Sequence, residues 1–537
     1  MSQSSGPVAD VAPVATAQSL QGLIDEVGRA VPRPVNVLQV TALLETAGVT
    51  EAIAQHRYGY ADIFALAEDV ATGVAAAVPA VTEAKATIPE PDRKAIVIDY
   101  LRGPFSLLPL VVLTVMINVY QSYGQWHPGR VFILSVSTIG SLLVTGGFVQ
   151  VLARKGSIYL SQGYVRAARQ FLGRVLLTAM AVVVGVAVLL AVGGVWTGLL
   201  DLVDVPLMLA AFVMLSSFWL LAAVLSVLSH AHWFGLGLGI GAAASYLALL
   251  ALRAINIQQR YLVTGAAAIG YLVCVGALTG GVRWILARQA RNAAPQRVVP
   301  PPRAQMLVAL APYFVYGIAY LLNVLAGHVG GWIGRLPATV SRSEAVATSE
   351  IALTVALTSY MLVGGVAEHT MQRFWQRVNA YQVWTPATTP HAFGHRIEQF
   401  YLSERERYAL VLAFCTAGVV VAMAAVLRST SFTFLGLQWT SGATLVLMTG
   451  MLGYGLLALG VFDCMLLITL SQPRFALEAL SLGLVTTLGT SLLAGVAMGY
   501  AYGALGTVLG SLAFLMLARS RLQRLLRDAD YYYYASF

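Results

Sequence analysis

Twelve apolar stretches follow one another from Pro104 onward in this 537-residue chain, separated by polar breaks. Each is long enough to cross a membrane, because a helix needs about 20 apolar residues to traverse the hydrocarbon core. The chain is 58% hydrophobic and 11% charged, whereas soluble domains carry about 25% charged residues. An ordinary soluble enzyme is therefore excluded, and we predict an all-α polytopic membrane protein with spans at 104–123, 131–153, 175–196, 205–228, 233–252, 261–286, 306–326, 350–369, 408–427, 442–466, 475–498 and 503–518.

Lys and Arg residues concentrate on one side of these spans. On that side, the loops and the C-terminal tail hold 19 of them, and the opposite loops hold six. Cytoplasmic loops carry the excess of Lys and Arg in membrane proteins. An even number of spans places both termini on the same side, so we predict that both termini are cytoplasmic. The segments counted as cytoplasmic are 154–174, 287–305, 370–407, 467–474 and the tail from Arg519.

The residues before the first span predict a separate small domain. Residues 1–19 lack helical periodicity and are expected to be disordered. Residues 20–76 repeat apolar residues at spacings of three and four, with Thr50 as a helix N-cap and Gly59 as a helix stop, which predicts a cytoplasmic helical domain. Residues 77–103 form a linker to the membrane part. The few basic residues of this domain form no recognition face for nucleic acid, so an adaptor or regulatory role is favoured.

The membrane part shows signs of an internal repeat. Asn118-Val119 in span 1 has a counterpart in Asn323-Val324 of span 7, and the LLVTGG of span 2 resembles the LVGG of span 8. A repeat of six helices relates two lobes by an axis along the membrane normal and leaves a cavity between them. GG pairs are also common in apolar helices without any repeat. We predict lobes at 104–286 and 306–518, a cytoplasmic linker at 287–305 and a basic cytoplasmic tail at 519–537.

Several local features carry a family resemblance over residues 100–537. Span 1 opens with Gly-Pro-Phe-Ser at 103–106, span 2 contains Thr145-Gly146 and Gln150 before a basic loop, and span 8 leads into MQRFWQRVNAY and HRIEQFYLSERERY. In their order and spacing these pieces resemble the Pel-type exopolysaccharide transporter family, within the multidrug/oligosaccharidyl-lipid/polysaccharide exporter superfamily. The loop after span 2 has no acidic residue, unlike the acidic-basic motif of the major facilitator class.

That resemblance implies passage of a saccharide polymer or lipid-linked saccharide across a bacterial inner membrane. It also implies two partners, a cytoplasmic glycosyltransferase and a regulator that responds to a cyclic dinucleotide. Residues 1–96 are outside the resemblance, so no role is inherited for them.

Ionisable residues inside the spans are few. A membrane-buried charge costs about 2.5–3.5 kcal/mol on insertion scales and usually marks function. Glu368, Asp463 and Glu478 belong to the second lobe and lie near the cytoplasmic ends of their spans, so a cation-coupled drug antiporter is not the first choice. They either form an acidic entrance for sugars or pair with nearby cations.

Aromatic and amide side chains in spans 1, 2 and 7 are candidates for a substrate path, because aromatic rings stack on sugar faces and amides bond hydroxyl groups. The same residues can instead join neighbouring helices or lie at the lipid interface. Basic residues at the cytoplasmic mouth are expected to contact a diphosphate head group or anionic membrane lipids. The path candidates are Asn118, Gln121, Tyr123, Gln150, Tyr313, Tyr316, Tyr320 and Asn323, and the basic mouth candidates are Arg166, Arg169, Arg373 and Arg377.

Motifs for enzyme chemistry are missing from the sequence. It contains no G-x-x-x-x-G-K-[ST], no H-E-x-x-H, no paired cysteines and no G-x-S-x-G, so we expect no catalytic residue, metal or cofactor. Three hypotheses follow. The first is a polysaccharide translocator, by alternating access or as part of a synthase complex. The second is a flippase for drugs or lipid-linked oligosaccharides, and the third is a non-transporting scaffold.

Overall fold

The computed structural model is helical throughout the residues it describes, with no strand among them. The described residues are 19–31, 34, 37–77, 100, 128–161, 164–198, 200–228, 230, 232–256, 258–292, 303–336, 342–384, 390–428, 439–470 and 472–527.

Four short helices precede the membrane part: α1 (Leu20–Ala30), α2 (Val37–Thr46), α3 (Glu51–Tyr58) and α4 (Ile63–Ala77). Their apolar faces meet in one core, where Leu23, Leu44 and Leu66 are each at most 1% exposed. Ser19 caps α1, since its hydroxyl accepts a hydrogen bond from the Gly22 amide at 3.2 Å. The predicted cap Thr50 precedes α3 without a side-chain capping bond, and Gly59 ends α3 in the left-handed conformation.

Thirteen further α-helices make up the rest of the described chain. Those of the predicted first lobe are α5 (Pro128–Ser161), α6 (Val165–Trp196), α7 (Val205–Val227), α8 (His232–Ala254) and α9 (Gln259–Asn292). Those that follow are α10 (Arg303–Ala326), α11 (Val329–Ile333), α12 (Arg342–Leu362), α13 (Gly364–Trp384), α14 (Pro390–Arg428), α15 (Ser441–Thr469), α16 (Pro473–Met498) and α17 (Leu505–Arg527), with a 3₁₀ helix at Tyr500–Ala504.

Ten helical stretches are long and apolar enough to cross a membrane, and they match predicted spans 3 to 12. Predicted span 2 coincides with α5, a helix of 34 residues. Predicted span 1 lies outside the described residues. The class prediction, an all-α polytopic membrane protein with a small N-terminal helical domain, is confirmed by this architecture.

The helices extend well beyond their apolar stretches. Residues 370–407, which the sequence predicts to be a loop, belong mostly to α13 and α14, and α17 continues to Arg527 into the predicted tail. With 39 residues, α14 is about 58 Å long, roughly twice the hydrocarbon thickness. Periodic hydropathy marks only the lipid-facing part, because a helix remains stable in water where its side chains still pack against a neighbour.

Packing outside the apolar stretch is visible where α13 and α14 run together. The Phe374 and Phe400 rings lie 6.3 Å apart, and the Arg377 guanidinium lies over the Phe400 ring at 5.0 Å. Phe374 and Val378 are at most 1% exposed. Residues 372–401 belong to one compact unit with the N-terminal helices, and the membrane helices form another.

Small residues let the helices of the first lobe approach closely. A Cβ at Gly241 in α8 would lie 2.5 Å from Cβ of Cys274 in α9, and a Cβ at Gly270 would lie 2.5 Å from Cβ of Ser245. Ser245 also donates a hydrogen bond to the Ala266 carbonyl across this contact at 2.9 Å. Such backbone proximity is typical of helix packing in lipid, where no hydrophobic effect drives association.

We predict that Leu66→Ala opens the N-terminal helices. Leu66 is fully buried, and removing a core leucine side chain costs about 2–5 kcal/mol. Hydrogen exchange of α1–α4 in the full-length protein measures the loss of protection. Phe64→Ala is the matched control because Phe64 is 50% exposed; equal effects of both substitutions would contradict the core described here.

Candidate functional site

The two predicted lobes meet where α5 packs against α10. A Cβ at Gly317 in α10 would lie 2.7 Å from the carbonyl carbon of Gly146 in α5, and a Cβ at Gly146 would lie 3.0 Å from the Gly317 carbonyl oxygen. The two backbones are therefore in direct contact. We call this contact, with the side chains beside it, the α5–α10 seam.

Aromatic and polar side chains flank the glycine contact along the α5–α10 seam. The Phe148 and Phe314 rings lie edge to face at 5.0 Å, and the Arg154 guanidinium lies over the Tyr313 ring at 5.5 Å. The Gln150 side chain lies against Gly317, since a Cβ there would be 2.8 Å from its Cγ. Two of the predicted path residues, Gln150 and Tyr313, are thus brought to the junction of the lobes.

The other two predicted path tyrosines of α10 lie inside the second lobe. The Tyr316 and Tyr320 rings are stacked at 6.4 Å with 12° between their planes. The Tyr320 hydroxyl forms a hydrogen bond with the Tyr360 hydroxyl of α12. The Tyr408 ring of α14 stacks on Phe462 of α15 at 4.6 Å and lies within electrostatic reach of Tyr320. The three predicted path tyrosines of span 7 are therefore divided between the seam and a tyrosine cluster inside the second lobe.

Asp463 lies next to this tyrosine cluster and is fully buried. Arg405 of α14 donates a hydrogen bond from Nε to the Asp463 carboxylate at 3.3 Å. An isolated buried carboxylate would cost several kcal/mol, and a hydrogen-bonded arginine offsets much of that. The charge pair fastens α14 to α15 inside the second lobe.

The remaining carboxylate candidates lie in different surroundings. Glu478 is 47% exposed at its side chain and pairs with Arg521 at 2.7 Å. Glu368 is half-buried in α13, next to buried His369, whose ring lies 5.5 Å from the Tyr100 ring. Among the described residues no group of three or more His, Cys, Asp or Glu side chains is placed to hold a metal ion. Asp463 and Glu478 thus each pair with an arginine, which fits the pairing alternative for these two carboxylates.

Asn323 is buried and joins two helices. Its amide nitrogen donates to the Ala319 carbonyl at 3.0 Å and to the Leu480 carbonyl of α16 at 2.9 Å. Both donor hydrogens are therefore committed to backbone acceptors, which fits the helix-joining alternative for a membrane asparagine. Its predicted counterpart Asn118, together with Gln121 and Tyr123, lies outside the described residues.

The basic candidates are distributed over separate helices. Arg166 and Arg169 are exposed near the start of α6, where they can reach lipid head groups or solvent. Arg373 is half-buried in α13, and the Arg377 guanidinium lies over the Phe400 ring of α14. In the part of the chain that is described, α6 and α13 therefore present their basic residues in different local settings.

Sequence reasoning missed a cluster of polar side chains around Glu350. Glu350 is the first residue of predicted span 8, where a carboxylate is usually solvated. In the structure its carboxylate contacts His328 at 2.9 Å and Trp332 at 2.8 Å. The partners lie across the turn after span 7, so no local pattern links the three residues.

We predict that Gly317→Val weakens the α5–α10 seam, because added carbon atoms collide with the Gly146 backbone. Melting of the purified protein in detergent should occur at a lower temperature than for the wild type. Gly455→Val in α15 is the matched control, since a Cβ at Gly455 meets nothing within 4 Å. Equal melting temperatures for Gly317→Val and the control would contradict the close contact.

We predict that Asp463→Ala destabilises the second lobe by about 3–5 kcal/mol, because it leaves a charged partner of a buried pair behind. Replacing both partners, with Arg405→Met and Asp463→Leu, should restore much of the melting temperature. Glu478→Ala, which breaks an exposed pair, should cost about 1 kcal/mol or less. Additive losses in the double variant would contradict the pairing.

Solved structures of membrane transporters share this fold. A mutant of the Vibrio cholerae MATE transporter VcmN aligns with a TM-score of 0.57 and 17% identity, over 82% of this chain and 99% of that chain. The bent form of VcmN gives 0.53 and 17%, over 82% and 98%. An outward-facing multidrug resistance MATE family transporter of the MOP superfamily gives 0.55 and 13%, over 80% and 96%.

Sequence comparisons do not assign the chain to a family. No protein-family model matches the chain, and no curated protein matches it. At identities of 13–17% the structural likeness concerns the fold. The chain is a multi-pass membrane protein with the fold of MATE transporters.

Proposed function

We propose that this protein moves a saccharide across the membrane by alternating access between its two lobes. The observation that carries the proposal is the transporter fold, which extends over four fifths of the chain and nearly the whole length of the solved transporters. In a two-lobed bundle of this kind a substrate site lies between the lobes. The α5–α10 seam is where the lobes touch in the described residues.

The seam has features of a contact that can open and close. Its tightest point is backbone against backbone at Gly146 and Gly317. Around it lie an edge-to-face aromatic pair and a cation–π contact, each worth about 0.5–1.5 kcal/mol. Contacts of this strength can hold the lobes in one conformation and still allow a second conformation, because two populated conformations differ by only a few kcal/mol.

The saccharide as substrate rests on the residue resemblance to Pel-type transporters and on side-chain chemistry. Tyr313, Phe148 and Gln150 at the seam offer aromatic faces and an amide, the groups that bind sugar rings and hydroxyls. The fully buried carboxylate of the second lobe, Asp463, is engaged by Arg405. This pairing favours an uncharged or weakly charged substrate over an organic cation.

Two other hypotheses are compatible with parts of the structure. A drug or lipid-linked oligosaccharide flippase would share the fold, and one structural neighbour is a multidrug resistance transporter. A scaffold would have a tightly packed lobe interface, as the α5–α10 seam is. We favour transport because the solved structures that share the fold over nearly their whole length are transporters. The glycosyltransferase and the cyclic-dinucleotide regulator are proposed as cytoplasmic partners, on the residue resemblance.

The proposal predicts that deleting the gene abolishes secreted polysaccharide in the native bacterium. The full chain and a chain lacking residues 1–96 should both restore secretion if the membrane part is the exporter and the N-terminal helices regulate it. Seam variant Tyr313→Ala should reduce secretion while its membrane level stays normal. Exposed-tyrosine variant Tyr502→Ala is the control, being 38% exposed at the 3₁₀ helix.

Two results would redirect the proposal. Unchanged polymer in the deletion strain, with greater sensitivity to toxic organic cations, would favour the drug flippase. Unchanged polymer and unchanged sensitivity, with loss of a copurifying enzyme from the membrane, would favour the scaffold.

A further inference from the structure

The short connection between α10 and α12 contains a buried ionisable pair that the proposed transport path does not use. His328 follows α10 directly and is 5% exposed, and Glu350 lies in α12. His328 Nδ1 lies 2.9 Å from one carboxylate oxygen of Glu350, and Trp332 Nε1 donates to the other at 2.8 Å. We call these three residues the Glu350 clasp.

Both Glu350 oxygens thus have a neighbour at α11: His328 directly precedes this helix, and Trp332 lies within it. The Glu350 side chain is 19% exposed, so water solvates it only in part. The His328 and Trp332 rings lie 6.5 Å apart and face the same carboxylate. The Trp332 hydrogen bond and the His328 ring nitrogen at ion-pair distance converge on one partly buried carboxylate. With a protonated His328, this is a charge-assisted site rather than an incidental surface contact.

The clasp is anchored to a rigid backbone framework. A Cβ at Gly330 in α11 would lie 2.5 Å from Cα of Gly503, and a Cβ at Gly334 would lie 2.5 Å from Cα of Tyr500. The Arg335 amide donates to the Gly495 carbonyl at 2.8 Å, and the Tyr500 amide donates to the Arg335 carbonyl at 3.0 Å. Through these contacts α11 is bound to the 3₁₀ helix and α16.

Consequently the Glu350 clasp connects this framework to α12. Arg335 follows α11, and Tyr500 lies on the 3₁₀ helix beside it. From α15, the Tyr454 hydroxyl donates to the Val324 carbonyl at 3.0 Å and lies within electrostatic reach of Glu350. At the start of α12, the side chains of Arg342 and Glu344 lie outside the described part. Between pH 5 and 8 tyrosine side chains stay neutral and arginine side chains stay positively charged.

Imidazole is the group that ordinarily changes charge in that range. With a proton on both ring nitrogens, His328 is a cation facing the Glu350 carboxylate, and loss of one proton removes the charge attraction. We propose that His328 and Glu350 form a proton-binding site that holds α11 to α12 when occupied and loosens this connection when the proton leaves. The charge bias of the loops predicts that this end of the second lobe faces the non-cytoplasmic side, where external pH would act on it.

The site is tested without any substrate, so the test does not depend on the proposed function. A double-mutant cycle of His328→Gln and Glu350→Gln in the purified full-length protein gives the coupling between the two residues as a shift in melting temperature. We expect a coupling of about 1–3 °C at pH 6 and a clearly smaller one at pH 8.5. The same cycle on Arg521→Gln and Glu478→Gln is the control, because neither side chain of that pair titrates in this range.

A coupling between His328 and Glu350 that is equal at both pH values would overturn the proton-binding site, and so would the absence of coupling at pH 6. If a variant fails to fold, hydrogen exchange of the wild-type protein tests the proton-binding site instead. After correction for the intrinsic pH dependence of exchange, α11 amides should be better protected at pH 6 than at pH 8.5. Unchanged protection of α11 would equally overturn the proposal.

Discussion

Backbone hydrogen bonding in lipid is the constraint on which the rest of this structure depends. No water is available in the hydrocarbon core, so every amide and carbonyl must find its partner within its own helix. Once the chain is a set of helices, the apolar side chains that face lipid contribute little to holding the helices together, since lipid tails are equally apolar. Association then rests on close contact and on the few polar groups that remain.

Glycine supplies much of the close contact, and two of these places have different consequences. At Gly146 and Gly317 it brings α5 and α10 together across the two predicted lobes, and at Gly330 it fixes α11 against the 3₁₀ helix. The first contact is flanked by aromatic pairs of modest strength. The second is reinforced by backbone hydrogen bonds on both sides of Arg335, so α11 has the firmer attachment.

Polar groups supply the remaining specificity, and most are tied to one partner. Arg405 engages Asp463 inside the second lobe, and Asn323 bonds the backbone of α16. Such groups are costly to bury alone, so each fixes which helices lie side by side. The Glu350 clasp differs because one member is an imidazole, whose charge responds to pH in the physiological range. The contacts of Asp463 and Asn323 are thus independent of pH in this range, whereas the Glu350 clasp is expected to weaken when His328 loses its proton.

The sequence by itself determined the helical membrane class, the positions of spans 3 to 12 and the presence of a helical N-terminal segment, because hydropathy and periodicity are local properties. It also marked Gln150 and Tyr313, which the fold brings to the seam. It did not predict that most of 370–407 is helical, since packing rather than hydropathy maintains those helical parts. The partners of Asp463 and Glu350 were decided by tertiary structure alone, because Arg405 and Asp463 are 58 residues apart and nothing local to either residue specifies which helices will meet.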